Sequence, residues 1–159
     1  MGTENSSLEE AKRMIKTVDH MIYVTYPLLK ENRLLIKILE QINNAVFNII
    51  NAIMQHEYMY KRIRLYSDVR ANIEIFETKI APRYAIQPEY IVGIKHIFAL
   101  IEKHKKSPME FVRNNKFIIM SESLETENVT LDKLKFFLTI SKEILKKAEM
   151  TITSDKSYF

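Results

Sequence analysis

The stretch Leu35-Ile36-Lys37-Ile38-Leu39-Glu40-Gln41-Ile42-Asn43-Asn44-Ala45-Val46-Phe47-Asn48-Ile49-Ile50-Asn51-Ala52-Ile53 decides the fold class. Leu35, Ile38, Leu39, Ile42, Val46, Ile49, Ile50 and Ile53 keep a single apolar stripe at helical spacing for five turns, with polar residues on the opposite side. The pattern predicts a long helix over residues 32–65, roughly 50 Å at 1.5 Å per residue, which acts as the spine of the fold. A helix of that length has an end free to be exposed or to touch another molecule.

Upstream, Ser6 and Ser7 each precede a glutamate by three residues (Glu9, Glu10), a capping arrangement. Ala11, Met14, Ile15, Val18, Met21 and Ile22 then give a helix over residues 8–24 that ends before Pro27, with Lys12, Arg13, Lys16 and His20 facing out. Downstream, Ser67 and Asp68 cap a helix with Val69, Ile73, Phe76 and Ile80 on its inner stripe, stopped by Pro82. Pro88 opens another, running to about Lys105, in which Gly93 is the weak interior point. Ser107-Pro108-Met109-Glu110 reads as a cap and a short helix to about Arg113. Residues 116–121 and 128–130 pair as a β-hairpin across the acidic stretch 122–127, and Thr130 or Asp132 starts the last helix.

The expected architecture is all-α: a four- to five-helix bundle with one long central helix and a small β-hairpin before the last helix. Residues 1–150 form a single domain and residues 151–159 a loose tail. Ile, Leu, Val and Phe supply 50 of 159 residues, enough for a core. Two glycines and four prolines are too few for the turns of a sandwich, barrel or doubly wound sheet.

Composition also excludes chemistry. With no cysteine there is no disulfide scaffold, thiolate metal site or cysteine nucleophile. Two glycines cannot build a phosphate loop, a dinucleotide fingerprint or a nucleophile elbow, so no nucleotide cofactor, and no cofactor of any kind, is expected. His20, His56, His96 and His104 lack zincin and di-iron spacings, so no metal is expected. Met1 to Glu10 lack the basic and apolar regions of a signal peptide, and no run of 18 or more apolar residues occurs. A cytoplasmic protein without a membrane partner is expected. The net charge of +4 is spread evenly along the chain and permits a polyanionic partner without demanding one.

Two surfaces are candidates for partner or nucleic-acid binding. Asn44, Asn48, Asn51 and Gln55 line one face of the central helix, where amides suit a dimer seam or nucleic acid, or simply water. Tyr58, Lys61, Arg62 and Tyr66 mix aromatics with cations, and Tyr58, Arg62 and Tyr66 would share a face if the helix persisted. Cations at a helix C-terminus and tyrosines rimming a core are the plain alternative. A second basic cluster comprises Lys103, Lys105, Lys106, Arg113 and Lys116. No carboxylate stands out as an acid or base.

Arg13 and His20 lie two helical turns apart on one face, and Arg13-x6-His20 resembles the Arg-x(4 to 6)-His motif of HEPN helical domains. Met14 follows Arg13, where that family usually has a polar residue. The resemblance implies a dimeric, metal-independent RNase, with Arg13 on phosphate and His20 assisting attack by the 2′-hydroxyl. The strings from Lys16 to Pro27 and from His104 to Phe111 are similar to small archaeal helical proteins of no assigned activity. The expected role is a non-enzymatic interaction module whose partner is another protein or a second copy of itself. The alternative is RNA binding, or HEPN-like cleavage by Arg13 and His20.

Overall fold

The computed structural model describes residues 3–156, which form five helical bodies and one three-stranded antiparallel sheet. The first body is α1 (Thr3–His20), continued by a π-helical turn (Met21–Thr25) and α2 (Tyr26–Leu29). The second is α3 (Leu34–Met59). The third joins α4 (Val69–Ile75), a π-helical turn (Phe76–Ile80) and α5 (Ala81–Arg83). The fourth is α6 (Pro88–Lys106). Strands β1 (Met109–Arg113), β2 (Lys116–Met120) and β3 (Thr126–Val129) precede the fifth, α7 (Leu131–Lys156).

Helix α3 is the spine, packed against α1, α6 and α7. Its apolar stripe from Leu35 to Ile53 is buried in one continuous core with Val18 of α1, Ile22 of the π-helical turn that follows it, Ile97 and Leu100 of α6, and Phe137 and Ile144 of α7. Helices α6 and α7 approach closely at Gly93, where an added Cβ would collide with Ile140 Cδ1. The sheet closes one end of the bundle, with Phe117, Ile119 and Val129 facing inward.

Neither internal proline ends a helix. The helix passes through Pro27 to Leu29 and through Pro82 to Arg83, each time directly after a π-helical turn. The residue before each proline keeps helical dihedrals and donates its N–H five residues back, from Tyr26 to Met21 O and from Ala81 to Phe76 O. The widened turn makes room for the pyrrolidine ring and moves the hydrogen-bonding frame past the missing donor. The expected stop before Pro27 is corrected accordingly.

Five further expectations change. Helix α1 already includes Ser6 and Ser7, which therefore do not cap it. Helix α3 stops at Met59, giving 26 residues and roughly 39 Å at 1.5 Å per residue. It ends in a Schellman turn: Arg62 N–H reaches Glu57 O (3.0 Å), Lys61 N–H reaches Tyr58 O (2.9 Å), and Lys61 is left-handed at φ 58°. Val69, expected inside, is exposed, although Asp68 does cap its helix by accepting from Arg70 N–H at 3.1 Å.

The segment after Ser107 is strand β1 rather than a short helix. Five residues cannot meet the cost of helix nucleation, whereas Asn114 and Asn115, left-handed at φ 53° and 60°, form the two-residue turn that pairs β1 with β2. Ser107 Oγ lies 2.7 Å from both Met109 O and Met120 O and ties the two strands together. The expected hairpin of β2 and β3 forms, with Phe117 opposite Val129, but β3 starts at Thr126 and takes two residues from the expected turn. Finally, α7 runs through residues 151–156, held by buried Ile152 and by Asp155; the rest of the expected tail lies outside the described residues. Its start is capped by Thr130 Oγ1, which accepts from Lys133 N–H at 3.2 Å.

Candidate functional site

Three chain segments converge at the end of the bundle remote from the sheet. The last turns of α3 supply His56 and Glu57, the Schellman turn supplies Arg62, the end of α5 supplies Arg83 and Tyr84, and the last turn of α7 supplies Asp155. Glu57 follows Ile53 by four residues and therefore continues the apolar face of α3, so its carboxylate is buried at 1% exposure. A carboxylate cannot remain ionised there without partners. It has two: Arg62 Nη1 at 2.7 Å and Arg83 Nε at 2.8 Å.

The same arginines turn to a second carboxylate. Asp155 Oδ2 accepts from His56 Nε2 at 2.8 Å, Arg62 Nη1 at 2.9 Å and Arg83 Nη2 at 3.4 Å. An ionised carboxylate only accepts, so the proton of His56 sits on Nε2. Burial pushes the Asp155 carboxyl up, but the hydrogen bonds from Arg62 and His56 and the charges of both arginines outweigh it and hold the carboxyl at about 2. Tyr84 Oη is buried beside Glu57 without a hydrogen bond of good geometry. Burial first and the Glu57 charge second push its phenol far above the ordinary tyrosine range, so it stays a neutral donor. Arg62 also lies over the Tyr60 ring at 4.7 Å.

Arg62 is shared with a groove of about 640 Å³ between the segment after α3 and the helix of α4. Lys61, Arg62, Arg64 and Lys79 line it against one acid, Glu74, with Ile63 and Ile75 as apolar lining. Tyr66, half-exposed, borders it. The Asn72 amide brackets the Tyr66 backbone, accepting from its N–H at 2.9 Å and donating to its carbonyl at 2.7 Å, which fixes where the aromatic side chain leaves the chain. Concentrated positive charge beside an anchored, exposed ring is suited chemically to anionic chains carrying planar groups.

Of the residues singled out by sequence, Lys61, Arg62 and Tyr66 come together here, but not on a helical face. The helix has ended, Arg62 is turned to the carboxylates, and exposed Tyr58 stays behind on α3. Asn44 and Asn51 are exposed on α3 beside exposed Phe47, while Gln55 is half-buried and Asn48 donates to Met14 Sδ of α1 at 3.7 Å.

The second basic cluster lies at the opposite end. Lys103 is paired with Glu127 at 2.7 Å, and Lys105 and Lys106 lie 3.8 and 4.0 Å from Glu102. Nearby, His104 of α6 bridges Glu110 of β1 at 2.6 Å and Glu40 of α3 at 3.0 Å. Glu40 and Glu57 stand roughly 25 Å apart along α3 at 1.5 Å per residue, so the two basic clusters share no surface.

Arg13 and His20 lie on the exposed side of α1, with Arg13 paired to Glu10. His96 packs edge-on against Phe137 at 5.5 Å, and burial, with Lys133 and Lys103 nearby, lowers its basicity. Among the described residues, no group of three His, Asp or Glu side chains is arranged to hold a metal ion, and no helix is long and apolar enough to cross a membrane. Sequence reading missed Glu57, Arg83, Tyr84 and Asp155. The signal available was Glu57 itself, a charge in register with Ile49 and Ile53. Comparison with protein-family models, with curated proteins and with solved structures gave no match.

Proposed function

We propose that this chain is a non-enzymatic helical binding module whose partner is single-stranded nucleic acid, RNA in the first instance, held in the groove between the segment after α3 and the helix of α4. The observation that carries this reading is the lining: three cations not committed to the buried carboxylates, Lys61, Arg64 and Lys79, against the single acid Glu74, with Tyr66 exposed among them. Cations neutralise the backbone, and an exposed ring stacks on any base, so binding without strong sequence preference is expected. Arg13 and His20 lie on α1 and take no part in the groove.

The test is a fluorescence-anisotropy titration with a mixed-sequence single-stranded RNA at low and moderate salt, with the same samples run on a denaturing gel. Affinity should fall steeply with salt. Tyr66→Ala should weaken binding by about five- to a hundredfold, the worth of one stacked base, and Arg64→Ala should lower the salt slope by about 0.7. Absence of binding at low salt, or binding indifferent to both substitutions, overturns the reading. Metal-independent cleavage on the gel, lost in His20→Ala, would replace it with the HEPN-like alternative.

One observation favours a second reading. Tyr23, Val24, Leu28 and Leu29 leave a run of exposed apolar side chains around α2, the kind of surface that pairs with a protein or a second copy. A mass measurement by light scattering decides it: a dimer converted to monomer by Leu28→Lys would establish that contact.

A further inference from the structure

The groove and the buried ion network meet at Arg62, and the network has the form of an anion site filled by the chain's own carboxylate. Three donors from three segments, His56 Nε2, Arg62 Nη1 and Arg83 Nη2, converge on the single oxygen Asp155 Oδ2 at 2.8, 2.9 and 3.4 Å. Three donors on one oxygen, two of them guanidinium groups, match a phosphoryl oxygen as well as a carboxylate. The arginines do not depend on Asp155 for their placement, because buried Glu57 holds both from the other side at 2.7 and 2.8 Å. If Asp155 is taken away, the two arginines and Glu57 keep one net positive charge. The buried hydroxyl of Tyr84, which makes no hydrogen bond of good geometry, stands beside Glu57 as a further donor.

Asp155 is also the member most easily withdrawn. It stands in the last described turn of α7, beyond Ile152, the last buried residue of that helix, and Thr153 and Ser154 between them are exposed. Opening residues 153–156 therefore uncovers little of the core, and the ion pairs of Asp155 that are given up on opening are replaced by those of the incoming phosphate.

Resting on the nucleic-acid reading above, we infer that His56, Arg62 and Arg83 form a subsite for the terminal phosphate of a strand lying in the groove, and that Asp155 occupies this subsite until the phosphate displaces it. The last turn of α7 is then a strap over the subsite, and Glu57 is a positioning residue for its two arginines. Binding of a phosphorylated strand end exchanges one anion for another and frees the strap.

The experiment compares 5′-phosphorylated, 3′-phosphorylated and unphosphorylated forms of one short single-stranded RNA, by anisotropy, on the full chain and on Asp155→Asn. One of the two phosphorylated forms should bind about tenfold more tightly than the unphosphorylated one, the worth of one charge-assisted contact. Asp155→Asn should widen that ratio, because the amide competes less well for the arginines. Removing a negative charge also favours the more highly charged strands by general electrostatics, so Glu74→Gln in the groove is the control, and Asp155→Asn must widen the ratio beyond it.

Hydrogen exchange gives a second readout on the unaltered chain: residues 153–156 should exchange faster when the phosphorylated RNA is bound. Equal affinities for all three RNAs in both proteins overturn the subsite while leaving the groove reading intact. Unchanged exchange at residues 153–156 overturns the strap, and failure of every RNA to bind overturns both readings. Should Asp155→Asn not fold, the ratio and the exchange measured on the unaltered chain decide the matter.

Discussion

Replacing Asp155 by asparagine removes the charge on which His56, Arg62 and Arg83 converge while keeping the side-chain shape. The carboxyl is shifted from an ordinary 3.8 to about 2, and at about 1.4 kcal/mol per pH unit this corresponds to roughly 2 kcal/mol of folding stability. Asp155 is 15% exposed but its partners Arg62 and Arg83 are 30% and 41% exposed, so solvent screening makes that figure an upper bound. A depressed carboxyl binds its proton more weakly in the folded chain than in the unfolded one. Its contribution is therefore complete above about pH 4 and is lost as pH falls toward 2.

Urea denaturation followed by circular dichroism, in steps from pH 7 to pH 2, should place Asp155→Asn below the unaltered protein at pH 7 by at most about 2 kcal/mol. A chain of this size should then melt lower by at most roughly 4–8 °C. The two stability curves should draw together between pH 4 and pH 2. Other carboxylates that titrate in the same window, Glu127 among them, are common to both proteins and cancel in the difference. Parallel curves through that window, or equal stabilities at pH 7, would refute the assignment of Asp155 as the anchor of α7. If Asp155 also occupies a phosphate subsite, the same substitution must act with opposite signs, lowering stability while raising preference for a phosphorylated strand end.

Two further predictions test how the frame is held. Gly93→Ala gains up to about 1 kcal/mol of helix propensity but forces the buried Ile140 off its rotamer, so we expect a net loss of about 1 kcal/mol in urea unfolding. Ile140→Val deletes the colliding Cδ1, and the double variant should be more stable than the sum of the two single changes predicts. Ala85 is left-handed at φ 56° in a Schellman turn that closes Ile86 N–H onto Ala81 O at 2.9 Å. Ala85→Gly relieves that strain, and a rise of about 0.5–1 kcal/mol is expected; a fall would show that the turn opens readily in solution.

The parts legible in sequence are those in which neighbours three or four residues apart carry the signal. The α3 stripe, α6 opened by Pro88, the Asp68 and Thr130 caps and the β2–β3 pairing are all read from local spacing. The misreadings share a cause: a local rule was met but outvoted. Pro27 and Pro82 should have stopped helices, and a π-helical turn before each made room for the ring. Ser107-Pro108-Met109-Glu110 has every mark of a helix start, yet β2 offered its backbone partners and Asn114-Asn115 the turn. The aromatic and cationic run after Tyr58 kept helical spacing, but Lys61 turned left-handed with no glycine to announce it.

For the candidate site the division is sharper. The presence of Lys61, Arg62 and Tyr66 in one short run was plain, whereas Glu57 was missed although its register with Ile53 lay in the sequence. That Arg62 faces inward, that Arg83 and Asp155 join it, and that Lys79 lines the same groove as Arg64 were decided only by tertiary structure. Sequence by itself determined a helical bundle with a spine and a small sheet, because burial of periodic apolar faces follows from spacing alone. Apart from Glu57 and Arg62, five positions apart, the ion network joins residues 26 to 99 positions apart. No periodicity records such pairings, because what selects them is the desolvation cost of a buried carboxylate, met only when the folded chain brings distant cations to it.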